Sequence, residues 1–478
     1  MTIEEYEPKN VFKIFSEICA IPHGSGNTEK LRKWCADFAE KRGLEYDCDG
    51  GGNILIRKPA SVGFEKSETL IIQGHLDMVC EKNADCAADM ENDGISLKSD
   101  GEYIFADGTT LGGDDGIAIA FALAILDDDT ILHPPLEILL TADEETGMFG
   151  ANSFDCTKLR GKRLINIDSE EEGILTAGCA GGIRCKCSLP LEFEAIQNGF
   201  TYLKVTLSGL LGGHSGVDIA SHRANAVKLL AMALERVEQA VQMRICSING
   251  GNKDNVIPNS AEAVIAVSDT ELAIHSITCF EDEANAKLCG EKADFTVEKC
   301  DCNNMSFDDK NGKKLLFLLL NVPDGVVEMS AEIPDAVTIS LNLGSAKTVE
   351  NSLCLLFLLR SNTVAGRHSI EEKISSFMKK MGAKIEFSAS YPPWEYKTNS
   401  KLREIMSETY SNMFEKKPVV QTIHAGLECA VFDSKIENAD MVSFGPDIEN
   451  VHTPNERMKI ASVQRSWNYL LKVLENLK

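Results

Sequence analysis

The sequence predicts an α/β protein in two parts. One is a discontinuous domain on a mainly parallel mixed sheet flanked by helices, over residues 1–184 and 391–478; the other is an inserted α+β domain over 185–390. Three observations lead there. Short apolar runs bounded by turn signals alternate with helical patterns through the first 180 residues. After CAGG at 179–182 the runs change to half-exposed alternation. The first pattern, an apolar strand that ends in polar residues, returns only near the C-terminus.

In order along the chain, GNTEKLRKWCADFAEKRG has helical apolar spacing and a glycine stop. NILIRK, TLIIQGHLDM, PLEILLTADE and RLINIDS read as strands, and GIAIAFALAIL, directly after GGDDG, reads as a helix buried all round. Strands separated by helices build a parallel sheet whose sites gather at the carboxyl ends of the strands. In the insert, TYLKVTLSGL, AEAVIAVSD, DFTVEKCD and AVTISLNLG alternate as strands with one wet face, around the helix RANAVKLLAMALERVEQ. QTIHAGLECAVF and MVSFGPDIENVHTP then precede a last helix, SVQRSWNYLLKVLENL.

A length of 478 residues with 44% hydrophobic content allows two or three domains with real cores. A net charge of −25 excludes nucleic acid and anionic membrane surfaces as favoured partners, because both would repel the chain. The N-terminus shows no charged leader with an apolar stretch, and no apolar run reaches the roughly 20 residues of a bilayer span. FALAIL, LLFLLL and LCLLFLL are therefore buried elements. Sixteen scattered cysteines suit reduced thiols in the cytoplasm, and the CxC pairs Cys185–Cys187 and Cys300–Cys302 read as strand residues.

The chemistry is written at the strand ends. His75 and Asp77 in TLIIQGHLDMV stand two apart, which on a strand puts both on one face. DGTTLGGDDG holds Asp114 and Asp115, TADEETG holds Glu144 and Glu145, LINIDSEEEG holds Asp168, and PDIENVHTP holds His452. Each has a plainer reading: Asp114 and Asp115 could cap the next helix, Glu144 and Glu145 could be a solvated turn, Asp168 surface charge, and His452 an idle exposed histidine. Those readings require a separate coincidence at each of several strand ends. Hydrolysis of an unactivated amide needs a strong nucleophile, a base and a charge to hold the oxyanion, and two zinc-type ions about 3.5–4 Å apart supply the first and third. His75, Asp114, Glu145, Asp168 and His452 form a ligand set with one bridging carboxylate and two terminal ligands per ion, and Glu144 is left to take the proton from water.

With these residues in place, the chain resembles the M20 family of co-catalytic zinc peptidases, and closely its aminoacyl-histidine dipeptidase branch, the peptidase D type. The motifs that carry the resemblance are GHLDMV, DGTTLGGDDG, the Glu-Glu pair before TGM, NIDSEEEG with CAGG, GGHSGVDI, INGGNKDNVIP, IHAGLEC and VHTP. It implies a zinc-peptidase catalytic domain and an inserted lid, with Asp114 bridging, His75 and Asp168 on one ion, and Glu145 and His452 on the other. It further implies that Asp77 orients His75, that Glu144 is the general base, and that the peptide bond after Asp114 is cis. His214 resembles the lid histidine that holds substrate or oxyanion, in some members from a partner subunit. Asn255 and Arg360 resemble the residues that grip the substrate's carboxylate, although Arg360 also reads as a surface ion pair. His424 and Glu428 are expected at the pocket rim, and Glu428 could meet a substrate amine. Asp115 departs from the branch, where asparagine is more usual.

The implied function is hydrolysis of dipeptides, Xaa-His dipeptides among them, by two Zn2+ per chain, with Mn2+ and Co2+ as the other ions this set suits. The partners expected are a small peptide substrate and a second copy of the chain through the lid domain, in the cytoplasm. The competing readings are a deacylase or carboxypeptidase of the same family acting on N-acyl amino acids, and a non-catalytic homologue that binds metal or peptide.

Overall fold

The computed structural model describes residues 2–196 and 198–478. The chain divides into two compact units. The first runs to Cys179 and resumes over Tyr396–Thr422 and Leu427–Lys478; the second comprises Ala180–Glu395 and Ile423–Gly426. Residues 180–184 and 391–395 fall in the second unit because its strand Gly181–Pro190 pairs along its length with Ser352–Ser361, and Tyr391 pairs back to Gly182. Ile423–Gly426, placed by the sequence in the catalytic domain, also groups there, since the carbonyls of Ile423 and Ala425 accept from the Ala180 N–H.

The first unit is built on an eight-stranded sheet in the order Glu45–Cys48, Ile54–Lys58, Leu136–Thr141, Leu70–His75, Arg163–Asn166, Asp440–Ser443, Ile174–Cys179, Val419–Ile423. The four central strands are parallel, and antiparallel strands flank them. Leu70–His75 and Leu136–Thr141 are buried on both faces, which explains their unbroken apolar runs. Helix Gly113–Asp127 is buried almost throughout and becomes regular only after Asp115. Lys58 closes its C-terminal end by donating to the carbonyls of Ile125, Leu126 and Asp128. A small sheet ties distant segments together: Ile448–Glu449 and Arg457–Lys459 form a hairpin, and its second strand pairs with Tyr103–Ala106. That hairpin carries His452.

The second unit is an antiparallel sheet in the order Asp294–Lys299, Thr201–Ser208, Ala261–Val267, Met243–Gly250, Val337–Val349, Ser352–Ser361, Gly181–Pro190, Lys384–Tyr391, with Gly325–Met329 paired to Val337–Val349. Helices Ala226–Ala240, Thr270–Asn285, Asp309–Asn321 and Val364–Lys380 supply its other apolar faces. This is the α+β texture expected after CAGG. Cys185 and Cys187 are buried strand residues, but Cys300 and Cys302 are not: the strand stops at Lys299, and both lie in the link to Met305–Phe307. Among the described residues the sixteen cysteines form no disulfide. Among the described residues no helix is long and apolar enough to cross a membrane.

Candidate active site

Three neighbouring strand ends and two loops converge in the first unit. His75 closes the strand Leu70–His75, and its Nε2 lies 3.1 Å from Asp114 Oδ1 and 3.8 Å from Asp168 Oδ1. The other oxygen of Asp114 faces His452 Nε2, also at 3.1 Å, and Glu145 Oε1 lies 2.8 Å from that same nitrogen. Asp114 thus meets one imidazole with each carboxylate oxygen. The ligand atoms of His75, Asp114 and Glu145 lie within 4.8 Å of one another, and so do those of His75, Asp115 and Asp168. Asp115 is drawn into the cluster because its Oδ2 accepts the His75 backbone N–H at 3.0 Å. Gly74 makes room for it, since a Cβ there would stand 2.5 Å from that oxygen. The Asp114–Asp115 peptide bond is cis.

Asp77 does not share a strand face with His75, because the strand ends at His75. His75 Nδ1 instead donates to the Asp77 backbone carbonyl at 2.9 Å, and the Asp77 carboxylate is 3.6 Å away. That carboxylate accepts from the N–H groups of Glu144 and Glu145 and from Ser25 Oγ at 2.9, 3.3 and 2.8 Å. Its task is wider than expected: it fixes the loop that carries the general-base candidate as well as the imidazole. Asp143 turns away, accepting the Gly26 N–H at 2.6 Å.

The charge balance of this centre is lopsided. Among the described residues no lysine or arginine pairs with Asp77, Asp114, Asp115, Glu144, Glu145 or Asp168; their only ion-pair partners are His75 and His452. Burial lifts Glu144 and Asp168 well above the usual carboxylate range; His75 opposes that shift, and neighbouring carboxylates add to it. Burial alone would lower His75, yet Asp114 and Asp77 hold it well above its ordinary value. Hydrogen bonds to Asp114 and Glu145 raise His452 to about 11. Every one of these shifts says that the centre demands positive charge. Buried carboxylates around two imidazoles, with Asp114 between them, fit divalent cations on the chemistry of the donors.

Sequence reasoning missed Glu456. It is buried, and it accepts from the N–H groups of Leu111, Gly112 and Gly113 at 2.8, 3.2 and 2.8 Å, with Asp114 N–H at 3.4 Å. Burial first, and Asp114 second, raise its carboxyl to about 7 against the pull of those donors. The only available signal was an acid four residues after His452, in VHTPNE. Glu456→Ala strands these buried donors, so it is expected to cost roughly 1–3 kcal/mol in thermal unfolding and to weaken zinc binding on the order of 10–100-fold by titration. Ser25, in IPHGSGN, was missed too, because nothing local marks it as a partner of Asp77.

The remaining expected residues are divided between the units. Glu428 is in the first, but not at a rim: it is 0% exposed, and its Oε2 accepts from Gln73 Nε2 and Thr141 Oγ1, both at 2.5 Å. It heads the helix Glu428–Lys435, and these bonds tie the start of that helix to the central strands Leu70–His75 and Leu136–Thr141. His424, in the second unit, is buried as well; its Nδ1 donates to Asn362 Oδ1 at 2.9 Å and its Nε2 accepts from Ser340 Oγ at 2.8 Å. Burial and the nearby Arg360 lower it to about 3, so it is a neutral imidazole. Asn255 and His214 are brought together by backbone: Ser215 N–H donates to the Asn255 carbonyl, and His214 pairs with Val256. Arg360 is 5% exposed and makes no ion pair among the described residues, which sets aside the surface ion pair. Its Nη2 lies 3.5 Å from His214 Nε2. His214 Nδ1 accepts the N–H groups of Gly216 and Val217, which puts the ring proton on Nε2. Two donors therefore face the same space, the arrangement that suits an anion.

The fold and the carboxylate–histidine cluster define a metallopeptidase, and the chain belongs to the peptidase family M20/M25/M40, which matches residues 71–476. The Escherichia coli cytosol non-specific dipeptidase is 37% identical to it over 479 aligned residues, covering 99% of each chain. The crystal structure of the aminoacylhistidine dipeptidase from Vibrio alginolyticus superposes with a TM-score of 0.90 at 37% identity, over 99% of this chain and 98% of that one. The aminopeptidase PepT from Bacillus cereus shares the fold, with a TM-score of 0.55 at 15% identity over 99% of each chain.

Proposed function

We propose that this protein is a zinc-dependent dipeptidase of the cytosol, in which His75, Asp114 and Asp168 hold one cation, Asp114, Glu145 and His452 hold the other, and Glu144 is the general base. The observation that carries the metal reading is the buried excess of carboxylate with no lysine or arginine to balance it. Two divalent cations, when bound, supply the charge that acidifies a water and polarises a carbonyl. Glu144 takes a proton at its carboxylate and returns it to the leaving amine, a task suited to a carboxyl whose affinity for protons burial has raised. Asp77 holds the Glu144 backbone in place, and Glu456 holds the turn before Asp114.

In the second unit, Arg360 and His214 form the grip for a substrate carboxylate, with Asn255 beside them. A carboxylate is common to dipeptides and N-acyl amino acids, so the choice of dipeptides rests on the likeness, along the whole chain, to two proteins named as dipeptidases. One is named non-specific and the other aminoacylhistidine, so dipeptides are their common ground. The test is hydrolysis of a dipeptide panel, including Xaa-His, beside N-acetyl amino acids, with and without a chelator. The expected result is chelator-sensitive cleavage of dipeptides only. Turnover confined to N-acetyl amino acids makes the protein a deacylase, and metal binding without turnover on either class makes it a binding protein.

A further inference from the structure

Arg360 is held in an unusual way for a buried guanidinium. Its charge is uncompensated: no carboxylate lies within 4 Å among the described residues, and its Nε–H has no hydrogen-bond partner. Its Nη1 donates to the phenol oxygen of Tyr391 at 2.7 Å. Tyr391 reaches it across an intervening strand. Gly182 pairs with Arg360 on one side and with Tyr391 on the other, so the three stand in a row over three neighbouring strands. A Cβ on Gly182 would lie 2.4 Å from Cζ and Oη of Tyr391, so the ring lies directly over the bare glycine backbone. The register of Lys384–Tyr391 shifts between Ser388 and Tyr391, which re-aims the ring as bulges do. The glycine of CAGG, the break in register and the phenol are one construction, and it ends at Arg360.

We infer that Tyr391 is a positioning residue that sets the plane of Arg360 for a substrate carboxylate, with Gly182 as the space it requires. A neutral phenol is suited to this. It accepts from the guanidinium and fixes its orientation without neutralising it, as an aspartate would. The charge is left for the ligand. This rests on the reading of Arg360 as the carboxylate grip.

The experiment compares a dipeptide with its C-terminal amide on the metal-loaded enzyme, in wild type, Tyr391→Phe, Arg360→Met and the double variant. Tyr391→Phe is expected to raise KM for the free acid roughly ten-fold, the weight of one hydrogen bond to a charged group, with kcat nearly unchanged and the amide unaffected. The same variant should weaken competitive inhibition by the free C-terminal amino acid by a similar factor. In the Arg360→Met background, Tyr391→Phe is expected to change nothing further. Gly182→Ala, which displaces the ring, should reproduce Tyr391→Phe. If Arg360→Met erases the preference for the free acid while Tyr391→Phe leaves it intact, the positioning role is wrong. If Tyr391→Phe still acts without Arg360, the phenol touches substrate itself, and the inference is overturned. If Arg360→Met leaves the preference intact, the carboxylate grip itself is refuted and the inference falls with it.

Discussion

Glu144→Gln lowers kcat by roughly 10²–10⁴-fold, the share of catalysis that a positioned general base supplies, while the metal content stays at its wild-type value. The amide keeps the shape of the side chain and the loop that Asp77 fixes through the N–H groups of Glu144 and Glu145. What it loses is the ability to take a proton. In the proposed mechanism that role falls to Glu144 because the ion-pair contacts with the imidazoles are made by its neighbours: Glu145 meets His452, and Asp114 and Asp168 meet His75. A pH–rate profile and metal analysis of the same sample check the result. Full turnover in the variant rejects the assigned base.

Chelation is expected to abolish activity and to lower the thermal midpoint by roughly 5 °C, as expected when two ions, each held at about 100 times its Kd, are lost from a chain of this length. The loss should deepen as the pH rises. Glu144 and Asp168 have folded-state affinities for protons above those of the unfolded chain, and Glu428 is raised from 4.5 to about 7 by burial. A carboxyl raised in this way contributes stability below its unfolded value and loses it as the pH rises through the folded value. For Glu428 that window runs from 4.5 to about 7. The stripped protein should therefore melt lower at about pH 8 than at about pH 5, and zinc should restore more stability at the higher pH. Scanning calorimetry at both values, before and after zinc is returned, measures this. A midpoint indifferent to chelator at both values contradicts it.

The strand ends that build the cluster were legible because each is a local event: an apolar run buried on both faces, then a polar residue where the sheet stops. Leu70–His75, Leu136–Thr141 and Arg163–Asn166 stand where those runs were read, and so does the buried helix after GGDDG. The relation between His75 and Asp77 departs from the expected shared face for the same local reason. Alternation holds only while the strand lasts, and this one ends at His75, so the two meet through a backbone carbonyl instead of along a shared face. Supporting contacts were least legible where they join segments far apart. Glu456 reaches the Leu111–Asp114 turn over some 340 residues, and the pairing of Arg457–Lys459 with Tyr103–Ala106 holds its hairpin there. Glu428 and His424 stand four residues apart in HAGLEC yet fall into different units, a division that no local pattern reveals.

The most direct test is the number of zinc ions bound per chain by the zinc-saturated protein and by Asp114→Ala, measured by elemental analysis after removal of free metal. Asp114 offers one carboxylate oxygen to each imidazole, so in the proposed arrangement it is the side chain shared by both positions. The expected result is two ions per chain in the wild type and close to none in the variant, with Asp168→Ala and Glu145→Ala each retaining one. A wild type that binds no zinc, or an Asp114→Ala protein that keeps both ions, contradicts the account.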